Sequence, residues 1–135
     1  MTSVVVDASI AFAWILPSQR TVTAEAVRAR SPLVAPVIFP FEVRAGVLAA
    51  ERRQRLTRAE ADRQLGLALP LVDIAAAPDI SDQDAILATA RRTGLAFYDA
   101  AYLHLALVEG CELASRDAAL LAAAGRIGVQ IVDAR

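Results

Sequence analysis

The chain has 135 residues, 14 cations against 15 acids, a formal net charge of −1 and a hydrophobic share of 56%. This is the size of one domain, residues 1–135, able to bury roughly two thirds of its unfolded surface. The near-neutral charge speaks against binding nucleic acid by bulk electrostatics. Every cation is Arg, so a Walker A loop, which needs Gly-Lys, is excluded.

Ser3 to Val6 reads as a short, continuously apolar strand of the kind buried in a parallel sheet. Ala8 to Leu16 is a helix, apolar almost all round and stopped by Pro17. Thr21 to Arg30 is a second, amphipathic helix, and Leu33 to Ala35 a brief strand. A long helix follows and ends near Arg55; proline suits a first helical turn, so its start is expected near Pro40. Thr57-Arg58-Ala59-Glu60 is a capping box for a helix to about Leu69. Leu71 to Ala75 is a strand. Ser81-Asp82-Gln83-Asp84 caps a helix that ends at Gly94. Asp99 to Val108 is a helix ended by Gly110, Glu112 to Ser115 a strand, Ala118 to Ala124 a short helix and Val129 to Val132 the last strand. Helices alternating with short apolar strands imply an α/β fold, a three-layer α/β/α sandwich on a mainly parallel sheet of about five strands. The apolar runs are broken by Pro17, Pro36, Pro40 and Arg44, short of the about 18 residues of a membrane span. No cationic leader precedes the first strand, so no signal peptide is expected. The single cysteine, Cys111, reads as a core filler and fits a reducing, cytoplasmic setting.

Four acids stand beside segments that must be buried. Asp7 ends Val4-Val5-Val6, and Glu42 sits within Val37-Ile38-Phe39-Pro40-Phe41-Glu42-Val43. Asp99 follows Leu95-Ala96-Phe97-Tyr98, and Asp117 follows Leu113-Ala114-Ser115-Arg116. Taken singly, each has a plain alternative role as a helix cap; Glu42 would hold the third helical position if its helix starts at Pro40. Jointly they read differently. In an open α/β sheet the strand-to-helix junctions lie along the carboxyl edge, where ligands bind. Carboxylates brought together there repel one another and draw in a divalent cation. The neighbours of Glu42, Ile38, Phe39, Ala45 and Gly46, mark an inward face with room for close approach.

Val5-Val6-Asp7-Ala8-Ser9, Phe39-Pro40-Phe41-Glu42-Val43, Tyr98-Asp99-Ala100-Ala101-Tyr102 and Leu113-Ala114-Ser115-Arg116-Asp117 together resemble the four signature blocks of the PIN domain. Size, order and the last strand are similar to the VapC toxins of bacterial type II toxin–antitoxin pairs. The resemblance implies that Asp7, Glu42, Asp99 and Asp117 form an acidic metal site, with Ser9 and Ser115 supporting it; the last block usually carries Thr where this chain has Ser115. It implies a metal-dependent endoribonuclease that uses Mg²⁺ or Mn²⁺, an RNA substrate, a homodimer, and a small VapB-type antitoxin whose tail covers a hydrophobic groove and the acidic pocket. Such a site needs hard oxygen ligands and no covalent nucleophile.

Arg44 and Arg116 flank two of the acids and are candidate RNA contacts, with solvated surface charge as the alternative. His104, the sole histidine, lies five residues beyond Asp99 and so faces away from it, which argues against a Ser-His-Asp triad. Phe12, Trp14 and Ile15 read as core or interface packing, and the first helix as more apolar than one packing face requires. Two rivals stand beside the nuclease. A Mg-dependent phosphatase with an aspartyl nucleophile would need an acid where Ser9 stands, and a Lys the chain lacks. A non-catalytic PIN-like RNA- or protein-binding module would use the same acids only as caps.

Overall fold

Val4–Val6 form strand β1, and all three side chains are buried. Three consecutive β-branched residues suit a strand covered on both faces, where alternation is lost. In the computed structural model, which describes residues 3–135, four more strands follow: β2 (Leu33–Ala35), β3 (Val72–Ile74), β4 (Glu112–Ser115) and β5 (Ile131–Asp133). They form one sheet in the order β3-β2-β1-β4-β5, parallel at every pairing. The register sets Val5 opposite Val34 on one side and opposite Leu113 on the other, so β1 is central.

Seven helices connect the strands: α1 (Ala8–Ile15), α2 (Val22–Arg28), α3 (Phe39–Arg52), α4 (Arg58–Ala68), α5 (Ile80–Thr93), α6 (Phe97–Glu109) and α7 (Ala118–Arg126). A 3₁₀ turn, Pro17–Gln19, joins α1 to α2. From β1 the chain steps through β2 to β3, then returns across the sheet to β4 and on to β5. Right-handed crossovers therefore place α1 to α4 on one face and α5 to α7 on the other. The packing agrees: α1 meets α2, α3 and α4, while α6 meets α5 and α7. The architecture is the α/β/α sandwich expected from the alternation of elements. The direction of winding reverses between β1 and β4, and the carboxyl ends of those two strands make the crevice where such folds bind ligands.

Several boundaries differ from the sequence reading, among them the end of α3 at Arg52 and the span of β5 at Ile131–Asp133; three helix starts matter most. Helix α3 starts at Phe39, with Pro40 in its first turn, so Glu42 is its fourth residue and its N–H donates to Ile38 O at 2.9 Å. Helix α6 starts at Phe97, which makes Asp99 its third residue. Helix α5 is capped by Asp79, whose carboxylate accepts the Asp82 N–H at 2.8 Å, and Ser81 is already helical. Ends at Gly94 and Gly110 are as expected; both adopt φ near +70° (76° and 63°), which glycine takes without strain.

The apolar surplus of α1 is spent inside the chain. Ile10, Ala11, Ala13, Trp14, Ile15 and Leu16 are all buried, and the Trp14 indole N–H donates to Ala24 O at 2.8 Å. Of the two roles open to Phe12, Trp14 and Ile15, core or interface packing, Trp14 and Ile15 take the core, with α2, α3, α4 and β4 around the helix. Of the inward face assigned to Glu42's neighbours, Phe39 is buried and Gly46 lies against the Phe12 ring, where a Cβ would collide, but Ala45 is exposed. Cys111 is buried. Among the described residues no helix is long and apolar enough to cross a membrane.

Candidate active site

Asp7 follows the last residue of β1 and occupies the N-cap position of α1, yet its side chain makes no capping bond. It is 7% exposed. Its carboxylate instead accepts the Ser9 hydroxyl at 2.5 Å on Oδ1 and the Ser115 hydroxyl at 2.7 Å on Oδ2. Both hydroxyls are aimed by backbone. Ser9 Oγ accepts the Arg116 N–H and Ser115 Oγ the Asp117 N–H, each at 2.9 Å. With a lone pair of each serine engaged, each hydroxyl proton is directed at Asp7. The network ties the β1–α1 junction to the β4–α7 junction. Burial pushes the Asp7 carboxyl from 3.8 up to about 6, the serine bonds pull it part of the way back, and the charge of Asp117 adds to the rise.

Glu42, half-buried on the first turns of α3, accepts the Tyr102 hydroxyl of α6 at 2.6 Å. Its carboxyl is raised by burial, lowered by that bond and raised again by Asp99. Asp99 is raised by burial and by Asp117. Tyr102 is 1% exposed; its phenol is held far above its ordinary range by burial, by Glu42, and by the charges of Asp7 and Asp99. Asp117 caps α7, its Oδ1 accepting the N–H groups of Ala119 at 2.8 Å and Leu120 at 3.2 Å. The four acids thus share one electrostatic neighbourhood at the carboxyl edge, around the winding switch between β1 and β4.

No cation offsets them. Among the described residues the ion pairs lie elsewhere, at Arg20–Glu25, Arg30–Glu112, His104–Asp82 and Arg135–Asp133. The first turns of α1, α3, α6 and α7 turn positive potential toward the acids. Among the described residues no three His, Cys, Asp or Glu side chains are gathered tightly enough to grip a metal ion as oriented. The donor set nonetheless fits one: carboxylate and hydroxyl oxygens are the ligands of hard divalent cations, and a buried carboxylate with no counterion is what such a cation stabilises.

The PIN domain family model matches residues 4–126. The chain belongs to the PIN domain family. Solved structures share the fold. PAE2754 from Pyrobaculum aerophilum is 27% identical, with a TM-score of 0.76 over 97% of this chain and 91% of its own. VapC20 of Mycobacterium tuberculosis, a sarcin–ricin loop cleaving toxin, is 17% identical, with a TM-score of 0.65 over 89% of this chain and 94% of its own. FitAcB from Neisseria gonorrhoeae is 16% identical, with a TM-score of 0.62 over 96% of each chain. No curated protein matches the chain.

Of the four candidate acids of this PIN domain, capping accounts for Asp117 alone. Asp117 caps; Asp7 is turned to serine hydroxyls, Glu42 to a tyrosine, and α6 has no side-chain cap although Asp99 stands in its first turn. Arg44 is exposed and donates to Pro40 O of its own helix at 3.3 Å. Arg116 points its Nη1 at Gln19 Oε1, 2.8 Å away. The acid beside His104 is Asp82 of α5, 3.6 Å away. His104 lines, with Ile86, Phe97, Tyr98 and Val108, a largely apolar cavity of about 310 Å³ beside the acids rather than around them.

Two residues of the site escaped the sequence reading. Tyr102 lies three residues after Asp99, on the same helical face, and a buried phenol requires an acceptor; that spacing was the available signal. Gln19 carried none, because its contact with Arg116 spans 97 positions of sequence.

Proposed function

We propose that this PIN domain is a metal-dependent endoribonuclease and the toxin of a VapBC-type pair, hydrolysing RNA phosphodiester bonds. The observation that carries the reading is the acidic edge. Asp7 feels the charge of Asp117, Asp99 that of Asp117 and Glu42 that of Asp99; none of the four is in an ion pair among the described residues, and Asp7 is buried. A fold that merely capped its helices would have no reason to bury Asp7 on two hydroxyls at a cost in charge.

In this reading Asp7, Glu42, Asp99 and Asp117 hold Mg²⁺ or Mn²⁺. A cation held there would supply charge to neutralise the scissile phosphate and would lower the pKa of a bound water. The chain's own residues do the rest. Ser9 and Ser115 orient Asp7 and keep its carboxylate hydrogen-bonded while it is ionised. Tyr102 orients Glu42. Asp117 commits Oδ1 to the α7 cap and keeps its other oxygen free of the capping bonds. Arg116 and Arg44 meet RNA phosphates on either side. The partners of the reading are an RNA substrate, a VapB-type antitoxin and a second copy of the chain. Its support is membership of the PIN family and the shared fold with VapC20, itself a toxin that cleaves the sarcin–ricin loop.

The test is cleavage of a structured RNA with Mg²⁺, with Mn²⁺ and with EDTA. Cleavage that needs the metal and disappears in Asp7→Asn is expected; cleavage that persists in EDTA overturns the mechanism.

A further inference from the structure

Arg116 is held in an unusual way. Its backbone N–H braces Ser9, its Nη1 donates to Gln19 Oε1 at 2.8 Å, and its Nε is buried without an acceptor among the described residues. A buried guanidinium N–H with no partner is costly and rare in native structures. Arg116 sits between Ser115 and Asp117, at the mouth of the winding switch, and the side chain that fixes it comes from the 3₁₀ turn Pro17–Gln19. That turn belongs to the same edge. Two residues on, the Thr21 hydroxyl donates to Ala134 O at 2.8 Å, and Ala134 pairs with Ser115 at the end of β4. The guanidinium pairs with no carboxylate among the described residues, although Arg116 itself stands next to Asp117 in the chain.

We infer that Gln19 is a positioning residue for RNA binding: it holds the Arg116 guanidinium away from the acidic cluster and presents it to a phosphate of the bound strand. The inference rests on the nuclease reading. A neutral amide is the partner this task needs. Gln19 Oε1 occupies a donor of the guanidinium without neutralising it, so its charge stays available. An acid in that place would satisfy the arginine and repel the phosphate. Left untethered, Arg116 would be drawn to the carboxylates, where it would compete with the cation.

The test uses the full chain carrying Asp7→Asn, so that substrate is not consumed, and a fluorescein-labelled single-stranded oligoribonucleotide of mixed sequence. Anisotropy gives Kd across a series of NaCl concentrations. Arg116→Met should lower the slope of log Kd against log salt by about 0.7, the loss of one phosphate contact on a single strand. Gln19→Met keeps length and packing but removes the acceptor. It should weaken binding by roughly threefold to tenfold, the entropy of immobilising one long side chain. That loss should vanish when Arg116 is already Met. Gln19→Asn, too short to reach, should match Gln19→Met and guards against a folding defect of either variant. Losses from Gln19→Met and Arg116→Met that simply add, or Gln19→Met binding as tightly as its parent, would overturn the positioning role and leave the nuclease reading standing. Absence of any binding by the parent would overturn the positioning role, while the nuclease reading falls separately if the wild-type chain cleaves no RNA with Mg²⁺ or Mn²⁺.

Discussion

Replacing Asp7 with Asn should abolish activity and make the protein more stable. In the folded chain the Asp7 carboxyl is raised from 3.8 to about 6, chiefly by burial. Each tenfold change in proton affinity is worth about 1.4 kcal/mol, so ionised Asp7 costs the native state about 3 kcal/mol. Because the native state binds the proton more tightly than the unfolded one, stability falls as pH rises from 4 to 6 and the full cost is present above 6. Asn keeps the shape and removes the charge, but it offers one acceptor and one donor where Asp7 accepted from two serines. Either Ser9 or Ser115 must turn its hydroxyl, giving back about 1 kcal/mol. The net expectation in EDTA at pH 8 is a gain of about 1–2 kcal/mol, or an upward shift in Tm of roughly 2–8 °C per kcal/mol. The gain should shrink as pH falls below about 6 and be absent by about pH 3, where Asp7 is protonated in both states. Thermal melts of both proteins across that range are the assay. An Asn variant less stable than the parent at pH 8, or a difference indifferent to pH, would refute the claim that Asp7 is held ionised at a cost.

Mg²⁺ or Mn²⁺ should raise the Tm of the wild-type chain with concentration, by mass action on the native state, and leave Asp7→Asn unmoved; equal shifts in the two would place the metal elsewhere. Tyr102→Phe frees Glu42 and should cut cleavage or metal affinity by roughly 10- to 100-fold while costing about 1 kcal/mol of stability, read by titration and melting. Ser115→Ala withdraws a donor from a buried carboxylate and should destabilise by about 1.5–3 kcal/mol at pH 8. It should cost less at pH 4, since that bond serves the ionised form. Gly46→Ala places a Cβ inside the Phe12 ring. The crowding costs about 1–3 kcal/mol and outweighs a helix-propensity gain of about 1; adding Phe12→Ala should relieve the crowding, which denaturant titration of the double mutant would show.

The architecture was legible because each strand declares itself by unbroken apolar residues and each helix by its stop. Pro17, Gly94 and Gly110 end helices where expected, since a missing N–H or a positive φ is a local property. Helix starts were less legible. Phe97 and Phe39 carry no capping side chain, so α6 and α3 begin two and one residues before the positions that turn chemistry favoured. The four acids could be singled out because burial of a carboxylate is a conflict visible in sequence. What holds them was not visible. The bond from Tyr102 to Glu42 and the bond from Ser115 to Asp7 join residues 60 and 108 positions apart, and only the sheet order brings them together. Apolar count left α1 open between core and interface, because a helix lying under three others needs apolar residues on every side.

Capping and cation binding need not compete for the same acid, and Asp117 shows how. Both backbone donors of α7 fall on its Oδ1, at 2.8 and 3.2 Å, so one oxygen fixes the helix while the carboxylate keeps its charge and a second oxygen. Asp7 divides its labour differently. Both oxygens are engaged, but by hydroxyls rather than by cations, and a carboxylate oxygen that has accepted one hydrogen bond retains a lone pair. Neutral donors therefore orient the two acids flanking the winding switch without discharging them. The cost of that arrangement falls on the folded chain, as the raised carboxyl of Asp7 records, and a bound divalent cation would remove it. A site built from ion pairs would have been more stable empty and of less use, since each arginine in place would have to be displaced before a cation could enter.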